Sequence, residues 1–504
     1  MRCIWASLIV LFCTVMLCGQ EHSHPEPEKL GAVSFPTTCV PGVKAQFNRA
    51  VALLHSFTYA PAETAFRDVL RDDPACVMAH WGIAMSYYHQ LWEPALPGDS
   101  AEKGRAELAS AIQSGGGSAR EKEYLAAAAF IFDDSTAPVP ERARKYRDAM
   151  HAIAQQHPDD MEAQIFYALA LLGTALPTDK SHENQKKAAE ILESLYLKHP
   201  QHPGLAHYLI HAYDNAELAT RGVKAARDYG QIAPSAPHAL HMPSHIFTRL
   251  GMWDDSIRAN QSARIAARKL GDTGEELHAM DYLVYAALQK GRDGDAAAIL
   301  SALNAMGLRQ EREFKSAYAA TAMQVRYAVE RKQWQAAQQC QATEGAPPHV
   351  LALAAWARAL GHARSGDPAG AQSDLMMLLK LVDQLHDAGN AYWAGQVKIQ
   401  YEEASAWMAW AQKKPKEAVT YMSNAANEED AVEKLPVTPG PVVPAREQLA
   451  ELLALDGHPA DALAEYEKSL KDSPARRNAL QGALETSKAA GLQAKVEFYQ
   501  AQLK

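Results

Sequence analysis

The chain has no long hydrophobic run. Its longest apolar stretch covers residues 4–17, short of the roughly 20 residues a helix needs to cross a bilayer, so no membrane-spanning segment is expected. An excess of positive charge is also missing: 50 Lys and Arg stand against 59 Asp and Glu, a formal net charge of -9. With no basic stripe interleaved with aromatics to follow a phosphate backbone, nucleic acid is not an expected partner. Cysteine is scarce, six in 504 residues, and Cys3, Cys13 and Cys18 fall within the first twenty. Neither a C-x-x-C-H haem-attachment motif nor an H-E-x-x-H protease signature occurs. No segment alternates with period two for long enough to require a sheet. What is present is 48% hydrophobic and 22% charged residues, ample core for several domains or one extended helical array.

Arg2 followed by the apolar run has the form of a secretory signal, so residues 1–19 read as a signal peptide and 20–38 as a polar leader. The mature protein is expected to be exported, and periplasmic. Residues Val15-Met16-Leu17-Cys18 loosely match a lipobox, which leaves a lipid anchor at Cys18 facing the periplasm as the alternative.

Residues 47–74 read FNRAVALLHSFTYAPAETAFRDVLRDDP, with Tyr59, Ala62, Phe66 and Pro74 at set intervals. The same intervals recur at Ala188, Leu192 and Pro200, and at Ala462, Tyr466 and Pro474. The small residue lets two helices approach, the large one fills the gap between hairpins, and the proline ends the second helix. This pattern resembles the tetratricopeptide (TPR) repeat. The resemblance implies an all-α fold, an α-solenoid of TPR-like helical hairpins with a concave groove. On that basis residues 39–93 are N-terminal repeats, and 94–200 are hairpins with inserted loops such as GGGS at 115–118. Residues 201–434 form a central array and 445–504 C-terminal repeats. Between the last two, LPVTPGPVVP (435–444) cannot be helical, because its four prolines remove donors and fix the backbone. It reads as an extended crossing segment. The wider pattern, including HPGLAHYLIHAYD and HALHMPSHIFTRLG, resembles a group of large exported bacterial TPR proteins, which implies fold and export but no reaction. Cys39 and Cys76 then occupy matching positions before the first helices of neighbouring repeats and are expected to form a disulfide, two separate thiols being the alternative.

Two histidine pairs carry the functional reading. His207 and His211, then His241 and His245, are each four apart, which puts both members on one helix face. The pairs are displaced by 34 residues, one TPR length. In the register the resemblance implies, Asp214 follows the first pair on the concave face, His238 joins the second, and His278, Asp281 and Tyr285 come from the next repeat. Pro243 disturbs this register: either the helix kinks there or it begins there, leaving His238 and His241 on the approach. Imidazoles with no thiolate partner suit a divalent transition metal such as Zn, Cu, Ni or Fe. His207, His211, His241, His245 and Asp214 are the candidate metal ligands. His238, His278, Asp281 and Tyr285 are candidate ligand-binding groups. Trp81 and Tyr88, on the stripe in CVMAHWGIAMSYYHQLW, are a second candidate patch unless that stripe is core. Glu428, Glu429, Asp430, Glu433 and Lys434 read as a solvated face.

Three functions follow. The first is a binding protein that holds a ligand, peptide or protein in the concave groove through a His-rich, metal-binding patch. The second is a metalloenzyme with Asp214, Asp281 or Tyr285 moving or orienting a proton. The third is a periplasmic assembly scaffold with incidental histidines, and whether the chain is an enzyme stays open.

Overall fold

The computed structural model describes residues 28–91, 96, 98–133, 137–307 and 314–503. The expected signal peptide, the lipidation candidate Cys18 and residues 20–27 of the leader lie outside the described residues.

Among the described residues the protein is helical, with no strand, and successive helices pack as hairpins. The helices that build the site are α1 (Lys44–His55), α2 (Pro203–Tyr213), α3 (Pro237–His241), α4 (Pro243–Arg249), α5 (Trp253–Leu270), α6 (Thr273–Gln289) and α7 (Phe314–Glu330). The repeat residues do what their chemistry dictates. Ala62 and Phe66 are fully buried on helix Tyr59–Asp72, and the Phe66 ring lies where a side chain on Gly82 would stand, 2.4 Å from its Cβ position. Only glycine lets the next helix approach that closely. No described helix is long and apolar enough to cross a membrane.

Cys39 and Cys76 are joined by a disulfide. At a sequence separation of 37, loop closure predicts a contribution of about 3–4 kcal/mol. The Cys39→Ser/Cys76→Ser variant is therefore expected to unfold at lower urea, with an m-value no smaller than that of the oxidised protein because its unfolded chain is less compact, and a midpoint equal to that of the oxidised protein would refute this.

The end of the leader is tied to the array. Ala32 N donates to Gln201 O and Lys29 N to the Ser235 hydroxyl, while Leu30 and Phe35 are buried. Two apolar side chains within the polar stretch anchor it to the array.

The aromatic stripe is core rather than a groove lining. Trp81 is 0% exposed and packs against Phe35, Tyr124 and Phe166. Tyr88 is buried beside Tyr146.

The C-terminal repeats fold back onto the central array. Trp253 Nε1 donates to Ala475 O at 2.9 Å and Arg477 N to Gln289 Oε1 at 3.0 Å. Arg476, 0% exposed, holds Glu330, Glu447 and the Tyr285 hydroxyl. The proline segment is laid against α7. Arg326 of α7 donates to Thr438 Oγ1, Gly440 O and Pro441 O, Leu435 N donates to the Tyr392 hydroxyl, and Val437 and Val442 are buried. Glu433 and Lys434 are not a solvated face: Glu433 N bonds Pro177 O, and Lys434 reaches Asp214 at 2.8 Å.

Candidate metal centre

Pro243 kinks the helix without ending it. Met242 stays right-handed (φ -52°, ψ -35°) between α3 and α4, and its N–H still bonds His238 O at 2.9 Å. Pro243 has no N–H to continue the ladder. The turn nonetheless carries on, so His241 and His245 project to the same side, their Nε2 atoms 3.1 Å apart.

The other ring nitrogen of each is already committed. Asn260 on α5 donates its Nδ2 to Ser256 O at 2.8 Å, which fixes the amide with Oδ1 outward. That oxygen accepts the Nδ1–H of His241 at 2.6 Å. His245 donates its Nδ1–H to Asp214 Oδ2 at 2.9 Å. With both protons on Nδ1, the facing Nε2 atoms each carry a lone pair, and two lone pairs at this separation repel unless a cation lies between them. A proton is disfavoured there. Burial pushes the His241 imidazole well below its ordinary value, with His245 adding to the effect. Burial also lowers His245, against the pull of Asp214. Burial alone would raise the Asp214 carboxyl, but Lys434, Arg249 and His245 outweigh it and hold it well below the carboxylate range. His278 on α6 completes the set: His241, His245 and His278 offer three ring nitrogens within 4.8 Å of one another. The Tyr282 hydroxyl stands 3.3 Å from His245 Nε2.

A second triad sits beside this one. His207 on α2 donates its Nδ1–H to the carbonyl of His55 at 2.6 Å, and its Nε2 faces His211 Nε2 at 3.1 Å. His207, His211 and His238 also offer three ring nitrogens within 4.8 Å. Burial, then His211, keeps His207 far below its ordinary value. His55, at the end of α1, is itself braced: Glu162 bonds His55 Nε2 at 2.9 Å and His202 Nε2 at 3.0 Å. Burial would raise Glu162, yet His202 and His55 bring it down to about 2.

The structure thus brings together His207, His211, His238, His241, His245 and His278, with Asp214 supporting His245. All six histidines are buried except half-buried His211. Asp281 and Tyr285 are engaged elsewhere, Asp281 with Arg326 at 2.9 Å and Tyr285 with Arg476 at 3.0 Å. Sequence reasoning missed Asn260, Lys434, His55, Glu162 and His202. Asn260 left one signal, a polar side chain at a buried register of an amphipathic helix; for Lys434 there was none.

A cavity of ≈170 Å³ lies alongside, lined by Thr248 and Arg249 of α4, Tyr285, Tyr318, Lys434 and Glu403 among others.

No family model and no curated protein sequence matches the chain. Solved structures do resemble it in shape. Ypp1 is 9% identical, with 84% of this chain covering 65% of that one, just under two thirds, at a TM-score of 0.46. A human IFIT1 dimer with m7Gppp-AAAA is 12% identical over 85% of this chain and 89% of that one, at 0.36. The P58(IPK) TPR domain is 14% identical over 90% and 99%, at 0.22. Likenesses at this level carry nothing about what this chain binds.

Proposed function

We propose that this protein is an exported helical-repeat binding protein whose interior holds a divalent transition-metal ion, Zn, Cu, Ni or Fe, on His241, His245 and His278. The observation that carries the proposal is the pair of Nε2 atoms 3.1 Å apart whose partner nitrogens are both tied to fixed acceptors. Two nitrogens bound tetrahedrally at about 2.0–2.1 Å stand about 3.4 Å apart, so the pair is close to ligating geometry. The carboxylate and amide behind the rings are the supports that metal-bound histidines use, fixing the tautomer and raising ligand basicity. Neutral imidazole is the binding form, and burial keeps it neutral. The ≈170 Å³ cavity, sharing α4 with the histidines, favours a second reading: a metalloenzyme whose substrate sits between Arg249 and Lys434, beside the centre.

Elemental analysis of the purified protein reconstituted with Zn(II) tests this. At least one equivalent of zinc is expected, reduced by one equivalent in His241→Ala/His245→Ala and with that equivalent weakened about 10- to 100-fold in Asp214→Asn, with circular dichroism confirming the fold. Folded protein that takes up none of Zn(II), Cu(II), Ni(II) or Fe(II) would overturn the proposal.

A further inference from the structure

We infer that His207, His211 and His238 hold a second ion of the same class beside the first, so that the interior carries a two-metal centre. The inference rests on the metal reading of the first triad. It has its own observation: a related construction recurs one repeat earlier, with one of the two facing rings pinned, on α2 and on the start of α3. His207 is pinned through Nδ1 by a backbone carbonyl rather than an amide or a carboxylate, and its Nε2 again meets a second Nε2, that of His211, at 3.1 Å. A carbonyl oxygen is only an acceptor, so the tautomer of His207 is settled and its lone pair points at His211. The His55–Glu162–His202 brace gives that carbonyl a rigid mount.

The two triads are contiguous. The His238 ring stands 5.0 Å from His207 and 6.1 Å from His241, and His211 lies 6.1 Å from His245. Ions held on the two sets would therefore be neighbours rather than independent guests. Two carboxylates stand behind the triads, Asp214 on His245 and Glu275 facing His238 Nδ1 at 3.4 Å, and each is also bonded by cations, Asp214 by Lys434 and Arg249 and Glu275 by Lys315. Half-buried His211 is where the second triad comes nearest to solvent.

Titration of the metal-free full-length protein with Cu(II), read by bound-metal stoichiometry and electron paramagnetic resonance, tests the inference. Two equivalents are expected, with a spin-coupled signal integrating to well under two spins. His207→Ala, or His211→Gln if that variant does not fold, is expected to keep one equivalent with an uncoupled one-spin signal. One equivalent in both the native protein and the variant overturns the two-metal centre and leaves the first site standing. Two equivalents with two full, uncoupled signals also overturn it. No bound copper in the native protein overturns this inference, and failure with zinc, nickel and iron as well removes the reading beneath it.

Discussion

Replacing Arg326 with methionine lowers the stability of the protein by about 3–5 kcal/mol, the cost of leaving a buried partner uncompensated. The guanidinium is 0% exposed and is used on every side. Its Nε bonds Asp281 at 2.9 Å, its Nη atoms reach Thr438, Gly440 and Pro441, and its face lies 5.1 Å from the Tyr285 ring centre. Methionine fills similar volume but strands the Asp281 carboxyl and takes the arginine donor from Pro441 O, while Gly440 O keeps the Thr438 hydroxyl. Burial already raises the Asp281 carboxyl against the pull of Arg326, so without the arginine that group takes up a proton. Arg326→Met/Asp281→Leu is expected to recover much of the loss, since an apolar pair of matched volume is often as stable as a buried ion pair. Urea unfolding of the metal-free proteins measures both changes. A single-variant loss under 1 kcal/mol would show that the arginine is not the clamp its contacts describe.

Acid destabilises the metal-free protein from about pH 6.5 downward. Burial lowers the imidazoles of His207, His211, His241, His245 and His278 in the folded state, whereas in the unfolded chain they titrate near 6.5. For groups lowered by folding the sign is fixed. Above 6.5 both states are neutral and nothing is lost; below it the unfolded chain binds protons that the folded one refuses, so stability falls as pH falls. Each such group costs about 1.4 kcal/mol at one unit below 6.5, which sets a ceiling of about 7 kcal/mol for five at pH 5.5. On the proposed metal reading, saturating metal is expected to hold the rings deprotonated and to move the onset lower. Denaturant titrations at pH 7.5 and 5.5, with and without chelator, measure this. Equal stability at both pH values in chelator would mean that the rings are not held neutral by burial.

Much of this was legible before any coordinates. Ala62, Phe66 and Pro74 announce a hairpin because helix approach, gap filling and helix stopping each demand a narrow residue type. The 34-residue step between the histidine pairs announces convergence for the same reason. Register placed Asp281 and Tyr285 on the inner face with the histidines. It did not show that Arg326 and Arg476 would take them, because those arginines arrive with other repeats. Lys434 was illegible because its partner, Asp214, is 220 residues away, and only the path of the proline segment brings them together. Trp81 misled because a stripe at helical spacing looks the same whether it faces a groove or another helix. Pro243 permitted two geometries, and continued right-handed backbone at Met242 settles which one the chain adopts.

The contact between Trp253 and Ala475 spans 222 residues. An open solenoid nucleates anywhere and grows by neighbour contacts, so its stability is close to a sum over repeats. Closing the array on itself makes the final step a search between distant parts of the chain, which slows folding as long-range contacts do. The C-terminal repeats then act less as a removable cap than as a keystone, and deleting residues 445–504 would cost more than the stability of the repeats removed.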